Sequence, residues 1–138
     1  MRIVLDTNVP LASLAPQSLF NPIFISLVKE RYTLLISNEV LTEYEEVIAK
    51  RYDTETVQDL LKLLVPLVNV EQIAPHYHWR LIFNDPDDDK FVDLAVAGNA
   101  DFLVTNDRHF NVLASIEFPV VKTKTAEQFL ELLAEQVG

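Results

Sequence analysis

Cysteine is absent from the 138 residues, and only two residues are glycine. The first absence excludes disulfides and thiolate metal sites, and it fits a reducing compartment. The second excludes a glycine-rich phosphate-binding loop, which needs several glycines close together. No run approaches the ~20 apolar residues of a membrane span. The apolar start, Ile3-Val4-Leu5, is too short for a secretory leader. Basic residues are scarce: 11 Lys and Arg stand against 21 Asp and Glu, giving a net charge of −10. A broad electrostatic grip on nucleic acid rests on Lys and Arg. Any nucleic-acid path must therefore use cations such as Lys50-Arg51, Arg108 and Lys122/Lys124. Together these features point to a soluble, cytoplasmic protein with no membrane association, and the acidity suits a basic partner segment.

What is present is apolar and periodic. Hydrophobic residues make up 49% of the chain, enough for a substantial core, and no linker or repeat divides it. A single domain spanning 1–138 is expected. Short β-branched runs predict strands at Arg2–Asp6, Tyr32–Ser37, Leu67–Ile73, Asp101–Thr105 and Pro119–Lys122. Helical spacing predicts helices starting near Pro10 and near Pro22, and a longer one from Ser37 or Asn38 to about Arg51. Another follows Asp53 or Thr54 and stops at Pro66, and others open at Asp89 and after Thr125. Phe110–Leu113 suggests a further turn of helix, and Pro75 to Phe83 suggests a short one. Strands alternating with helices predict an α/β fold, with a central parallel sheet covered on both faces.

Acidic residues recur where such a fold gathers its chemistry. In open parallel sheets, ligands bind beyond the carboxyl ends of the strands. Asp6 closes the run Ile3-Val4-Leu5, and Asp107 follows Phe102-Leu103-Val104. A charge directly after buried residues is costly unless a partner meets it. Glu43 lies early in the helix that follows the second strand, four residues from Glu39, where the two carboxylates repel. The run Asp85-Pro86-Asp87-Asp88-Asp89-Lys90 places four acids in five residues. One or two would suit a helix N-terminus; metal binding by one member accounts for the excess. An EF-hand is excluded because its glycine and terminal glutamate are missing. Simple turn and cap roles compete at each position, as does a solvated helix face at Glu43. His76, Tyr77, His78 and Trp79 read as a surface aromatic patch rather than a metal site. Carboxylates gathered in one place repel unless a cation joins them, and hard divalent cations prefer such oxygen ligands.

Taken together, these segments resemble the PIN domain. The resemblance rests on Val4-Leu5-Asp6-Thr7-Asn8, Ser37 to Glu43, Asp85-Pro86-Asp87-Asp88-Asp89-Lys90-Phe91, and Leu103-Val104-Thr105-Asn106-Asp107-Arg108. It is strongest toward the branch of toxin components near the VapC-like toxins. It implies a three-layer α/β/α fold and a ribonuclease dependent on Mg²⁺ or Mn²⁺, with one or two ions. Carried over by position, Asp6, Glu43, Asp89 and Asp107 form the acidic quartet that binds metal and catalyses. Asp89 is preferred to Asp88 because it stands directly before Lys90-Phe91. Asn8 and Thr105 match accessory polar positions. The resemblance further implies an RNA substrate, an antitoxin partner and a homodimer.

The expected activity is endoribonucleolytic, with water attacking in line to leave 5′-phosphate and 3′-hydroxyl ends. The alternative is a catalytically inactive PIN module serving as a protein- or RNA-binding scaffold. A phosphotransfer receiver-like domain fits poorly, because Leu67–Ile73 ends without an acceptor aspartate.

Overall fold

The computed structural model describes residues 1–82 and 86–137. Phe83, where the expected short helix from Pro75 ends, and Asn84 and Asp85, at the start of the acidic run, lie outside the described residues. Five strands form one sheet: β1 (Arg2–Leu5), β2 (Thr33–Ile36), β3 (Val70–Gln72), β4 (Phe102–Val104) and β5 (Thr123–Lys124). Every adjacent pair is parallel, and the spatial order is β3-β2-β1-β4-β5. The apolar run Ile3-Val4-Leu5 thus takes the central strand, where all three side chains are buried.

The helices are α1 (Asn8–Ser13), α2 (Asn21–Val28), α3 (Asn38–Arg51), α4 (Thr54–Leu64), α5 (Asp89–Ala97) and α6 (Ala126–Val137). Short 3₁₀ turns at Pro86–Asp88 and Arg108–Ser115 lead into α5 and away from β4. The arrangement is a central sheet flanked by helices, a three-layer α/β/α fold.

Local chemistry explains the boundaries. Ser37 caps α3 by accepting from the Val40 amide, and Asp53 caps α4 by accepting from the Thr56 amide at 2.7 Å. Thr125 and Gln128 cap α6 reciprocally: the Gln128 amide donates to Thr125 Oγ1 at 3.1 Å, and the Thr125 amide donates to Gln128 Oε1 at 2.8 Å. Gly98 ends α5, and a Cβ there would stand 2.6 Å from the Leu35 side chain. The helix meets the sheet too closely at that point for any larger residue without a shift.

Three expectations require correction. The third strand covers Val70–Gln72 rather than the whole of Leu67–Ile73, because 67–70 is turned by a bond from the Val70 amide to the Leu67 carbonyl. The fifth lies at Thr123–Lys124 rather than Pro119–Lys122; Pro119 has no amide to donate, and pairing begins only where Leu103 meets Thr123. Residues 74–82 form no helix. They run as an irregular strap on α5, held because the Trp79 amide donates to Asp93 Oδ1 and the Ile82 amide to Asp89 Oδ1, each at 2.9 Å. The strap exchanges its own helical bonds for side-chain acceptors on a neighbouring helix.

The core is one cluster around the sheet, and Phe91, Phe110 and Phe129 are among its fully buried side chains. Phe91 and Phe110 meet edge to face at 6.4 Å, joining α5 to the turn after β4. Phe129 meets Tyr32 edge to face at 5.1 Å and fixes α6 against the sheet. Phe129→Ala is expected to lower stability by about 3–5 kcal/mol through a cavity that the sheet cannot collapse to fill. Equilibrium urea unfolding measures this; a change under about 1 kcal/mol would mean that α6 is not an integral part of the core.

Candidate functional site

The central strand ends at the site. Asp6 follows β1, and its amide remains in the ladder through a 3.0 Å bond to the Val104 carbonyl. Its carboxylate is therefore aimed by the sheet and not by a loose loop. The side chain is only 7% exposed. Thr105, buried beside it, donates through Oγ1 to Asp6 Oδ2 at 2.8 Å. The same hydroxyl oxygen accepts from the Asp107 amide at 3.0 Å. Thr105 thus ties the end of β1 to the bend after β4, and it orients two acids with one oxygen.

Asp107 opens the 3₁₀ turn and accepts from the His109 amide at 2.9 Å. Part of the turn reading is thereby satisfied, yet Asp107 also faces Asp6 across a cleft of about 280 Å³. Asn8, Asn106 and Phe20 line that cleft as well, with Asn8 exposed at its rim. Asn106 is used structurally, accepting from the Ala126 amide at 2.9 Å.

Glu43 reaches the same region from α3. The Tyr44 hydroxyl donates to the Leu5 carbonyl, which pins α3 against the end of β1. Glu43 then accepts from Thr7 Oγ1 through one oxygen and pairs with Lys90 Nζ at 2.6 Å through the other. The repulsion expected between Glu39 and Glu43 is thus answered by a lysine of the chain itself. Glu39 points to solvent.

The acidic run separates into two directions. Asp88, 9% exposed, faces Asp107 and His109, with His109 Nδ1 3.8 Å from Asp88 Oδ2 and 3.5 Å from Asp107 Oδ1. Ligand atoms of these three residues lie within 4.8 Å of one another, close enough to share a cation. Asp89 turns elsewhere. Its carboxylate caps the strap at Ile82, and it lines a different cleft with Glu39, His78, Arg80 and Asp93. One residue of helical advance is about 100° of rotation, which is why adjacent aspartates part company. His109 was not anticipated from sequence; the only signal was its place two residues beyond Asp107.

The electrostatics of the centre are set by burial and like charge. The Asp6 carboxyl is pushed up from its ordinary range, first by burial. Its bonds from Thr105 and the Thr7 amide counter part of this, while the charges of Asp107 and Glu43 add to it. The donor set is carboxylate oxygen with one imidazole, which suits a hard divalent ion such as Mg²⁺ or Mn²⁺. Among the cations considered from sequence, Arg108 adjoins the cluster, while exposed Lys50 and Arg51 end α3, about 20 Å of helix from its Ser37 cap.

The family described as PIN domain matches residues 2–109. This span includes Asp6, Glu43, Asp88, Asp89 and Asp107. A chain of the crystal structure of VapBC2 from Rickettsia felis, bound to a DNA fragment from its promoter, superposes with a TM-score of 0.61 and 23% identity. The match covers 91% of this chain and 98% of that one. The T. brucei RRP44 PIN domain superposes with a TM-score of 0.52 and 15% identity, covering 98% of this chain and 82% of that one. At these identities the likeness is one of fold. No curated protein matches the sequence. Among the described residues, no helix is long and apolar enough to cross a membrane.

The raised Asp6 carboxyl makes a prediction with a definite sign. The folded protein binds the Asp6 proton more tightly than the unfolded chain does. Its ionisation therefore costs stability as pH rises from the ordinary aspartate value through the raised one. In EDTA at neutral pH, Asp6→Asn should melt above wild type, and the gap should close on acidification. A lower melting temperature for the variant at neutral pH would show that the Asp6 charge is already compensated without metal.

Proposed function

Given that this chain belongs to the PIN domain family, we propose that it is a metal-dependent endoribonuclease whose acidic centre is Asp6, Asp88 and Asp107. Asp88 and Asp107 bring their ligand atoms within 4.8 Å of His109, and Asp6, joined to Asp107 through Thr105, adds its charge beside them; that single observation carries the reading. We assign to Asp88 the role expected of its neighbour Asp89, since Asp88 groups with Asp107 and His109 while Asp89 Oδ1 accepts from the Ile82 amide. Glu43, Thr7, Thr105 and Asn8 surround the centre.

Asp6, Asp88 and Asp107 would hold a Mg²⁺ or Mn²⁺ ion, with His109 beside them. Such an ion supplies Lewis acidity and lowers the pKa of water at the site. The chain's own residues do the rest. Thr105 fixes Asp6 and Asp107 in relation to one another. The acids limit the approach of a phosphodiester to a path on which a cation offsets its charge, and Arg108, exposed next to Asp107 in the chain, is a basic residue that a phosphate oxygen could use. Water attack in line then leaves 5′-phosphate and 3′-hydroxyl ends. RNA is favoured as substrate because nuclease PIN domains generally act on it. The likeness in fold to the VapBC2 chain supports a role as the toxin of a toxin–antitoxin pair.

The inactive scaffold reading is less well supported. A module kept only for protein contacts would have little reason to bury Asp6 beside Asp107.

Cleavage of a labelled structured RNA in Mg²⁺, Mn²⁺ or EDTA tests the proposal. Asp6→Asn, Asp88→Asn and Asp107→Asn should each lose roughly a hundredfold or more in rate, the equivalent of a few kcal/mol of barrier. Asp89→Asn should retain most activity while loosening the strap. Equal rates for wild type and Asp6→Asn would reject the nuclease reading. Loss in Asp89→Asn with full activity in Asp88→Asn would return the ligand role to Asp89.

A further inference from the structure

We propose that Lys90 is a built-in cation standing where a second metal ion would otherwise bind, so that the centre takes a single divalent ion and Glu43 is a positioning residue. The inference rests on the nuclease reading above and deepens it.

Both oxygens of Glu43 are committed. Lys90 Nζ lies 2.6 Å from Oε1, and Thr7 Oγ1 donates to Oε2. The ion pair is sheltered, with 19% of the lysine and 27% of the glutamate side chain exposed. Charge-assisted bonds of this length are strong, and water screens such a pair only in part. Lys90 has a fixed origin as well. It is the second residue of α5, two positions from Asp88, and its ammonium lies 5.9 Å from the Phe91 ring centroid, in reach of a cation–π contact. The helix that brings Asp88 to the acidic centre therefore brings a positive charge to Glu43.

In two-ion sites the metals stand about 3.5–4 Å apart, so a second ion needs a further carboxylate beside those that hold the first. Asp88 and Asp107 share the first ion's group with His109, and Glu43 is the carboxylate that a second ion beside Asp6 would draw on. Recruiting Glu43 would require expelling the Lys90 ammonium and breaking the Thr7 bond. Lys90 instead pairs with Glu43 through Oε1. Glu43 in turn holds Thr7, whose amide donates to Asp6. Glu43 acts on the centre through Thr7 and makes no contact with the metal.

The test counts ions without reference to activity. The whole chain is titrated with Mn²⁺, and free Mn²⁺ is followed by electron paramagnetic resonance, with circular dichroism confirming the fold of each variant. Wild type should bind a single Mn²⁺, and Glu43→Gln should bind the same number with affinity within about threefold. Lys90→Met should gain a second, weaker Mn²⁺ that disappears again in the Lys90→Met/Glu43→Gln double variant, while Lys90→Arg should behave as wild type. Two ions on wild type, or a tenfold or greater loss of Mn²⁺ affinity in Glu43→Gln, would overturn the proposal, and this comparison stands even if Lys90→Met fails to fold. An unchanged count in folded Lys90→Met would also overturn it. Failure of wild type to bind Mn²⁺ at all would instead reject the metal-dependent nuclease reading on which it rests.

Discussion

The structure turns on one constraint: the central strand of a parallel sheet ends in a buried negative charge. Asp6 cannot be solvated freely, because its amide is still in the ladder and its side chain lies under neighbouring elements. Everything around it answers that cost. Thr105 donates to it from just beyond β4, and the Thr7 amide donates from its own chain. These groups reduce the penalty without removing it, since Asp107 and Glu43 still add repulsion. A site that preserves a residual negative potential in a sheltered cleft is prepared for a cation.

The scaffold makes this possible because its parts agree. The most apolar run occupies the central strand, so the sheet's own order sets where the acids go. Tyr44 and Thr7 lock α3 to the end of β1. Phe91 against Phe110 locks α5 to the turn after β4, which places Asp88 opposite Asp107 and His109. Residues far apart in sequence thus share one mouth through contacts made by their immediate neighbours. The side chains that do chemistry and those that pack alternate along the same short segments.

Much of this was legible in the sequence, for reasons that can be named. Ile3-Val4-Leu5 could only be a buried strand, and a charge directly after it had to lie at the strand's mouth. Capping chemistry announced three helices, at Ser37 or Asn38, at Asp53 or Thr54, and at Thr125, and the caps of the first two are Ser37 and Asp53. What remained hidden depended on geometry beyond the local chain. Asp88 and Asp89 are chemically identical neighbours, and only the entry angle of α5, set through a 3₁₀ turn at Pro86–Asp88, decides which faces Asp107. His109 joins the centre because Asp107 caps a turn that brings the ring back. Pro75 to Ile82 misled because the Trp79 and Ile82 amides find their partners in aspartates on another helix, which no local pattern reveals.

The most direct test of the acidic centre is a crystal structure of the protein soaked in Mn²⁺, with anomalous scattering recorded to locate the ion. A peak among Asp6, Asp88 and Asp107, with the Asp89 carboxylate still on the Ile82 amide, is the expected result. A peak among Asp87, Asp89 and His78 instead, or none at millimolar Mn²⁺, would contradict the assignment of this centre.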